Sequence, residues 1–286
     1  MAVRTWVGGE SGAENVWTDM ANWLETTVPE STDDVYIVSG SVSITGLDES
    51  DVTLNSLTVG SRYTGEIGSS GTKLQINATT FSFAGHGETN YIEGQFTSVT
   101  VQDTSTNSAA LNLSGSSDTI TTLRILGGRG GVNIASSCNL VTTIEQIGAD
   151  GVTTNIADET TIGGSCSLKI DSGRMELNQA VPTITVFGGE LQAGLDSGAV
   201  TTLDIYGGRV RWNPTAACTI TTLSIYSGLF DSRESLAPAF TITNTTLHEG
   251  GIIDERSGLE NATWTNPISI EGGEVRYDTG REVTIT

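Results

Sequence analysis

The chain has 286 residues, of which 34 are acidic and 13 basic, giving a formal net charge of −21 at pH 7. A field of that sign repels nucleic acid and anionic membranes, so we expect neither as a partner. No apolar run reaches the length of a membrane span, and the start MAVRTWVGGESG lacks a basic stretch followed by an apolar one, so we expect no secretory signal.

Residues 1–40 are predicted to form an N-terminal cap. They hold three of the five tryptophans, Trp6, Trp17 and Trp23. The repeats that follow predict a solenoid, whose open end must be covered because its core and its backbone edge are otherwise exposed. We therefore interpret the tryptophans as a hydrophobic cap, and keep them as candidate interface residues.

The order of short motifs in this segment is W-V-G, W, N-W, V-P and D-D-V-Y-I. It resembles the opening of β-helical surface proteins of bacteria, including autotransporter-type passenger domains, and that of some β-helical virion proteins of tailed phages. The resemblance covers about 35 residues and the general repeat character. It implies a β-helix and, by analogy with the phage proteins, a homotrimer.

Residues 41–118 are predicted to form irregular β-helix coils. Short apolar pairs such as Leu57/Val59 and Val99/Val101 mark strand cores. The stretches 61–72 and 85–94 are rich in Gly, Ser and Thr, and are predicted loops. Loops that protrude from a rigid scaffold are candidates for contact with partners.

Residues 119–286 are predicted to form regular coils. TTLRILGG, TTLDIYGG and TTLSIYSG begin at residues 121, 201 and 221. The repeat has a mean spacing of about 21 residues. The first apolar residues of the eight units are Leu123, Ile144, Leu168, Ile184, Leu203, Leu223, Leu247 and Ile268. Apolar and polar residues then alternate, which is typical of a strand with one buried face.

Glycines follow most of these strands, as in Gly207-Gly208, and suit corners where φ is positive. Past the corner, an inward column is predicted to begin with Gly130 and Gly151 and to continue through Met175 and its successors. The outward column beside it alternates in charge at five successive positions, Arg129, Asp150, Arg174, Glu190 and Arg209. Stacked coils would place each charge over its opposite.

Together these patterns predict an all-β chain folded as a single-stranded parallel β-helix of about a dozen coils. The chain stops at Val283 and Ile285 in mid-strand pattern. We expect a partner or another copy to cover that end, because an open edge promotes aggregation.

Catalysis on such a fold would need clustered carboxylates. Two candidate groups exist, Glu249, Asp254 and Glu255 at one corner, and Asp48, Glu49 and Asp51 in an early loop. Both are equally explained as solvated acidic loops. His86 and His248 are isolated, and Cys138, Cys166 and Cys218 lack metal spacing and are interpreted as core residues. We expect no catalytic, cofactor or metal site.

Phe187, Tyr206 and Tyr226 are predicted to point outward on consecutive coils. Such a stripe could be a subunit interface, a ladder stacked for its own stability, or a platform for a sugar. Interface is the favoured interpretation, because aromatic residues are enriched in interface cores.

These observations favour a non-enzymatic virion structural protein, most of all a capsid decoration (cement) protein bound to the major capsid protein or another virion protein. It would be a homotrimer assembled in the host cytoplasm. One alternative is a phage tail fibre or spike that binds, or binds and cleaves, a surface polysaccharide. The other is a bacterial adhesin at the cell surface.

Overall fold

The computed structural model describes most of the chain. The described residues are 1–9, 12, 15–45, 48–85, 89–102, 111–114, 119–128, 130–135, 137–148, 153–158, 160–196, 198–234, 240–256 and 262–277. The predicted positions His86, Arg129, Asp150, Gly151, Val283 and Ile285 lie outside them.

These residues form 25 strands and one short 3-10 turn, Met20–Asn22. The strands are β1 Val3–Thr5, β2 Asp34–Gly40, β3 Asp48–Tyr63, β4 Leu74–Phe83, β5 Asn90–Glu93, β6 Phe96–Val101, β7 Leu111–Ser114, β8 Thr119–Ile125, β9 Val132–Ile134, β10 Asn139–Gln146, β11 Thr153–Ile156, β12 Thr161–Ile162, β13 Ser167–Ile170, β14 Arg174–Leu177, β15 Thr183–Val186, β16 Glu190–Ala193, β17 Ala199–Ile205, β18 Arg209–Trp212, β19 Thr219–Ile225, β20 Gly228–Asp231, β21 Phe240–Leu247, β22 Gly251–Asp254, β23 Ala262–Trp264, β24 Ser269–Ile270 and β25 Glu274–Arg276.

The strands pair in parallel with their counterparts one coil away. The first ladder runs β1, β2, β3, β4, β6, β8, β10, β13, β15, β17, β19, β21, β24. The second ladder runs β5, β7, β9, β11, β14, β16, β18, β20, β22, β25. The chain is a parallel β-solenoid of about 10 turns with ~22-residue coils. The predicted fold is confirmed, with slightly fewer coils than expected.

The core consists of the side chains on the inward face of each strand, which stack in columns from coil to coil. Leu123, Ile144, Leu168, Ile184 and Leu203 stack on one another in register and are fully buried. Each such side chain contributes about 1.5–3 kcal/mol relative to exposure.

The three cysteines are also in this core, as predicted, and are free thiols. Burial raises the pKa of the Cys166 and Cys218 thiols to about 11. Both therefore stay protonated and unreactive at neutral pH.

The predicted alignment is wrong by two residues near Leu247. That residue pairs with Ile225, and Thr245 lies opposite Leu223. Thr245 is buried in the apolar column, and its hydroxyl makes no hydrogen bond among the described residues. A slip of two residues leaves every side chain on its own face, so alternation cannot detect it.

The first positions of the post-corner column are also corrected. Val132 and Thr154 precede Met175 there, in place of Gly130 and Gly151. The early corners are longer than the later ones, so counting from the glycines placed the strands two or three residues too early.

The N-terminal cap is confirmed as a tryptophan cluster. Trp23 meets Trp17 edge to face with ring centroids 4.7 Å apart, and Trp6 lies 5.2 Å from Trp23. The Trp23 indole Nε1 donates to the Trp17 carbonyl at 2.8 Å. The backbone amides of Val7 and Leu24 pair this segment across the edge of β1. The cap thus satisfies backbone groups that the first strand would otherwise expose.

No helix in the described part of the chain is long and apolar enough to cross a membrane.

Candidate functional site

The rings of the predicted aromatic stripe stack on one another. They lie on the corner that joins the strands of the first ladder to those of the second. Phe187 and Tyr206 have ring centroids 5.2 Å apart and are inclined by 16°, and Tyr206 and Tyr226 are parallel at 4.4 Å. The backbone amide of each of these residues donates to a carbonyl on the preceding coil. The coil spacing therefore sets the ring spacing, and each stacked pair contributes about 0.5–1.5 kcal/mol.

His248 extends this ladder, which the sequence analysis missed. Its ring stacks on Tyr226 at 4.3 Å and 5°. The Nδ1 atom of His248 lies 2.7 Å from a carboxylate oxygen of Glu271. With Leu247 taken as the first apolar residue of its unit, His248 was assigned to the polar column directly after it. Thr245 is the residue that lies opposite Leu223, so His248 takes the position that Tyr226 has on the preceding coil. We call Phe187, Tyr206, Tyr226 and His248 the aromatic ladder.

The stacking determines which part of each ring is accessible. Each inner ring has its two faces against neighbouring rings, so its edge is what solvent reaches. Phe187, Tyr206 and Tyr226 nevertheless remain 49%, 43% and 37% exposed. A sugar stacks on a ring face, whereas a protein surface can pack against ring edges. The rings therefore form a stacked ladder whose inner rings leave their edges, and not their faces, accessible.

Exposed large hydrophobic residues concentrate in two places among the described residues. One is the aromatic ladder. The other is the outside of the N-terminal cap, where Val3, Val7, Met20 and Leu24 are exposed. The candidate interface residues Trp6, Trp17 and Trp23 lie beneath that surface and are buried. Any contact at this end would therefore use the neighbours of the tryptophans and not the indole rings themselves.

A network of ion pairs lies at the C-terminal ends of β20 and β22, the strands that follow the corner. Asp231 is buried and its carboxylate accepts two hydrogen bonds of 2.9 Å from Arg233. Arg209 reaches the same carboxylate from the preceding coil. On the next coil Asp254, also buried, accepts bonds of 2.9 and 2.7 Å from Arg256. Each aspartate thus binds the arginine two residues later in a forked pair.

This environment shifts the pKa of both aspartates. Burial alone would raise the pKa of Asp231, but the bonds from Arg233 and Arg209 outweigh it and hold that pKa far below its usual range. The bonds from Arg256 likewise lower the pKa of Asp254. The carboxylates are committed to ion pairs, and neither is suited to act as a general acid near neutral pH.

The predicted alternation of charge is confirmed only from Arg174 to Arg209, because uncharged Thr153 lies opposite Arg174 on the preceding coil. Arg174, Glu190 and Arg209 lie opposite one another on consecutive coils. Their ion pairs, however, form with other neighbours. Glu190 binds Arg211 at 3.0 Å, and Arg174 binds Glu176 at 2.9 Å. Glu190 reaches its partner diagonally between strands and Arg174 reaches along its own strand, so register alone does not decide the partner.

The first predicted carboxylate group does not converge. Asp48 points outward and bonds Ser50, which lowers its pKa, while Glu49 lies in register with the inward Ile76. Burial, followed by the charge of Asp48, raises the pKa of Glu49. Successive residues of a strand face opposite sides, so the carboxylates of Asp48 and Glu49 lie on opposite faces of β3.

The second group does not form a cleft either. Glu249 is exposed at its corner, whereas Asp254 and Glu255 are buried at the end of β22. Among the residues that the structure describes, no three His, Cys, Asp or Glu side chains are placed to hold a metal ion.

No protein-family model, curated protein or solved structure matches this chain.

Proposed function

We propose that this protein is a non-enzymatic structural protein that assembles through its outer surface. The observation that carries the proposal is the aromatic ladder, which exposes aromatic edges in one continuous stripe on a rigid solenoid. Contiguous exposed apolar surface of this kind is typical of contact sites between proteins.

The composition around the ladder supports the same proposal. Arg209 begins β18, just past the corner that carries Tyr206, and shares the buried Asp231 carboxylate with Arg233. Tyrosine and arginine are the residues most enriched, with tryptophan, at the energetic centres of interfaces. The carboxylate that both arginines bind is buried, whereas their guanidinium groups are partly exposed. The two arginines therefore place positive charge on the surface of a chain that is acidic as a whole. A second copy of this chain offers the complementary charge.

The particular role that we propose is capsid decoration in a tailed phage, as a homotrimer. It is supported by the resemblance of the N-terminal segment to β-helical virion proteins. The exposed apolar surface on the cap offers a second contact, at the end of the rod, for the capsid.

We expect the native mass, measured by light scattering over a range of concentrations, to be three times that of the chain. Replacing Tyr206 and Tyr226 with serine together should weaken association by at least about 30-fold, the loss typical of an interface hot spot. The matched control is Tyr277→Ser, since Tyr277 is equally exposed but lies outside the ladder. A wild-type monomer at every concentration, or an unchanged mass in the double variant, would contradict assembly through the ladder.

The virion role is tested separately. Antibodies against the chain should label the heads of phage particles whose genome encodes it. Label at tail tips would replace decoration with the spike alternative, and label on bacterial cells would favour the adhesin. New reducing ends or unsaturated sugars after incubation with polysaccharides would show that the protein is an enzyme.

A further inference from the structure

A second surface, far along the chain from the aromatic ladder, has the features of a ligand site. It is a trough on the outside of the second ladder of strands, with a volume of about 240 Å³. It adjoins a second depression of about 390 Å³ lined by Asp48, Gln75 and Glu93. These volumes lie near the lower end of the usual range for ligand sites, about 300–1,000 Å³.

One wall of the trough is a column of polar side chains. Tyr91, Asn112, Asn133 and Asn155 occupy the same register position on four consecutive coils. Asn133 Nδ2 donates to Asn112 Oδ1 at 3.0 Å, and Asn112 Nδ2 donates to the Asn90 carbonyl at 3.3 Å. These bonds hold the amides in place before any ligand arrives.

The floor of the trough is the next outward column, and its members are small. The strand register places Ser114, Ala135 and Ala157 side by side. The trough is closed at one end by the ion pair of Lys73 and Glu93, 3.3 Å apart. At the other end Asn178 follows Ala157 in register and donates to Asn155 Oδ1 at 3.3 Å. With coils about 4.8 Å apart, the floor is roughly 10 Å long between its outer members.

Three polar groups in this trough have no partner within the described residues. The asparagine column is interrupted between Asn133 and Asn155, which lie side by side without a bond between their amides. This leaves the Oδ1 acceptor of Asn133 and the Nδ2 donors of Asn155 without a hydrogen-bond partner among the described residues. The third group is the hydroxyl of Ser114, whose residue is only 7% exposed. All three residues line the trough, so a ligand lying in it can bond these groups.

The chemistry of the groups identifies the ligand class. Amide and hydroxyl groups both donate and accept, as sugar hydroxyls do. The charged groups at the trough, Lys73 and Glu93, neutralise each other, so an anionic ligand gains little there. Strands β7, β9 and β11 are each paired on both sides, so an extended peptide finds no free backbone edge to join.

We propose that this trough binds a neutral oligosaccharide, with about two sugar rings lying along the floor over Ser114, Ala135 and Ala157. Asn133 and Asn155 hydrogen-bond its hydroxyls from the wall, and Tyr91 bounds the trough toward Lys73. The site requires neither the homotrimer nor the virion role, because it is built within one chain and lies away from the aromatic ladder.

The test uses the full chain and a panel of neutral oligosaccharides: malto-, cello- and chito-oligomers, with oligogalacturonate as the acidic comparison. Saturation-transfer NMR should detect binding of at least one neutral oligomer at millimolar concentration or below. Asn133→Ala and Asn155→Ala should each weaken that binding by about tenfold. This is the effect of losing one hydrogen bond to the ligand when alanine offers no substitute for it. Ala135→Leu fills the floor and should abolish binding.

Asn244→Ala is the matched control. Asn244 is also an outward asparagine bonded to an asparagine on the next coil, since Asn266 donates to its Oδ1 at 2.7 Å, but it lies on the first ladder. Its replacement should leave binding unchanged. Each variant is checked by circular dichroism and by its native mass, so loss of binding is separated from loss of folding or assembly. The proposal is overturned if no neutral oligomer binds, if oligogalacturonate binds in preference, or if binding survives Ala135→Leu.

Discussion

Replacing Asp231 with alanine is expected to lower the free energy of unfolding by about 2–4 kcal/mol. The substitution removes a buried carboxylate that holds Arg233 in a forked pair and Arg209 from the neighbouring coil. The two guanidinium groups are partly exposed and can turn toward water, so the cost falls at the lower end of that for a fully buried pair. Urea denaturation followed by circular dichroism measures the difference.

The control for this variant is Glu176→Ala. Glu176 and Arg174 form a pair of 2.9 Å in which both side chains are more than a third exposed. Exposed pairs contribute about 0–1 kcal/mol. Similar losses in the two variants would show that burial of Asp231 has no energetic consequence.

The same network predicts a pH dependence. Because the pKa of Asp231 is lower in the folded protein than its ordinary value of about 3.9, the unfolded state binds the proton first as pH falls. The stabilisation from Asp231 is therefore complete above about pH 5 and declines steadily below about pH 4. Asp254 acts in the same direction. Asp231→Asn should flatten the acid limb of the stability curve, and an unchanged limb would contradict the assignment.

Gly208→Ala is expected to destabilise the chain by about 2–4 kcal/mol and to disturb the aromatic ladder. Gly208 has a φ of +72°, and a Cβ atom there would lie 2.5 Å from the Gly189 carbonyl oxygen. That oxygen accepts the Arg209 amide, so relieving the overlap would separate two coils beside Tyr206.

Two readouts check this variant. The urea midpoint reports the loss of stability, and near-ultraviolet circular dichroism reports the packing of the tyrosine rings. Gly9→Ala is the control, because a Cβ atom at Gly9 meets nothing within 4 Å. Near-native stability of Gly208→Ala would show that the corner is more adaptable than its geometry indicates.

The aromatic ladder was partly predictable from the sequence. Phe187, Tyr206 and Tyr226 each follow a strand of the same pattern at nearly constant spacing, so their outward position could be predicted. His248 could not be assigned to the ladder, because Thr245 replaces the apolar residue that marked the other units. Whether the rings would stack or lie apart depended on side-chain geometry that alternation does not specify.

The trough shows a different limit. Its wall and floor come from three or four coils, and their residues are separated in sequence by 21 or more positions. Asparagine and alanine are unremarkable at any one of these positions. The site exists only because the strand register brings them side by side, and because one pair of amides is left without a mutual bond.

By itself the sequence determined the architecture of this protein. Repeating strands with period-two alternation and glycine corners can bury their apolar faces only by stacking coil on coil. The tertiary structure decided the rest: the register at Thr245, the partners of the arginines, the burial of the cap tryptophans and the polar groups that face the trough. Alternation assigns each residue to a face, but it is insensitive to slips of two residues and to the reach of long side chains. Those are set by packing between coils.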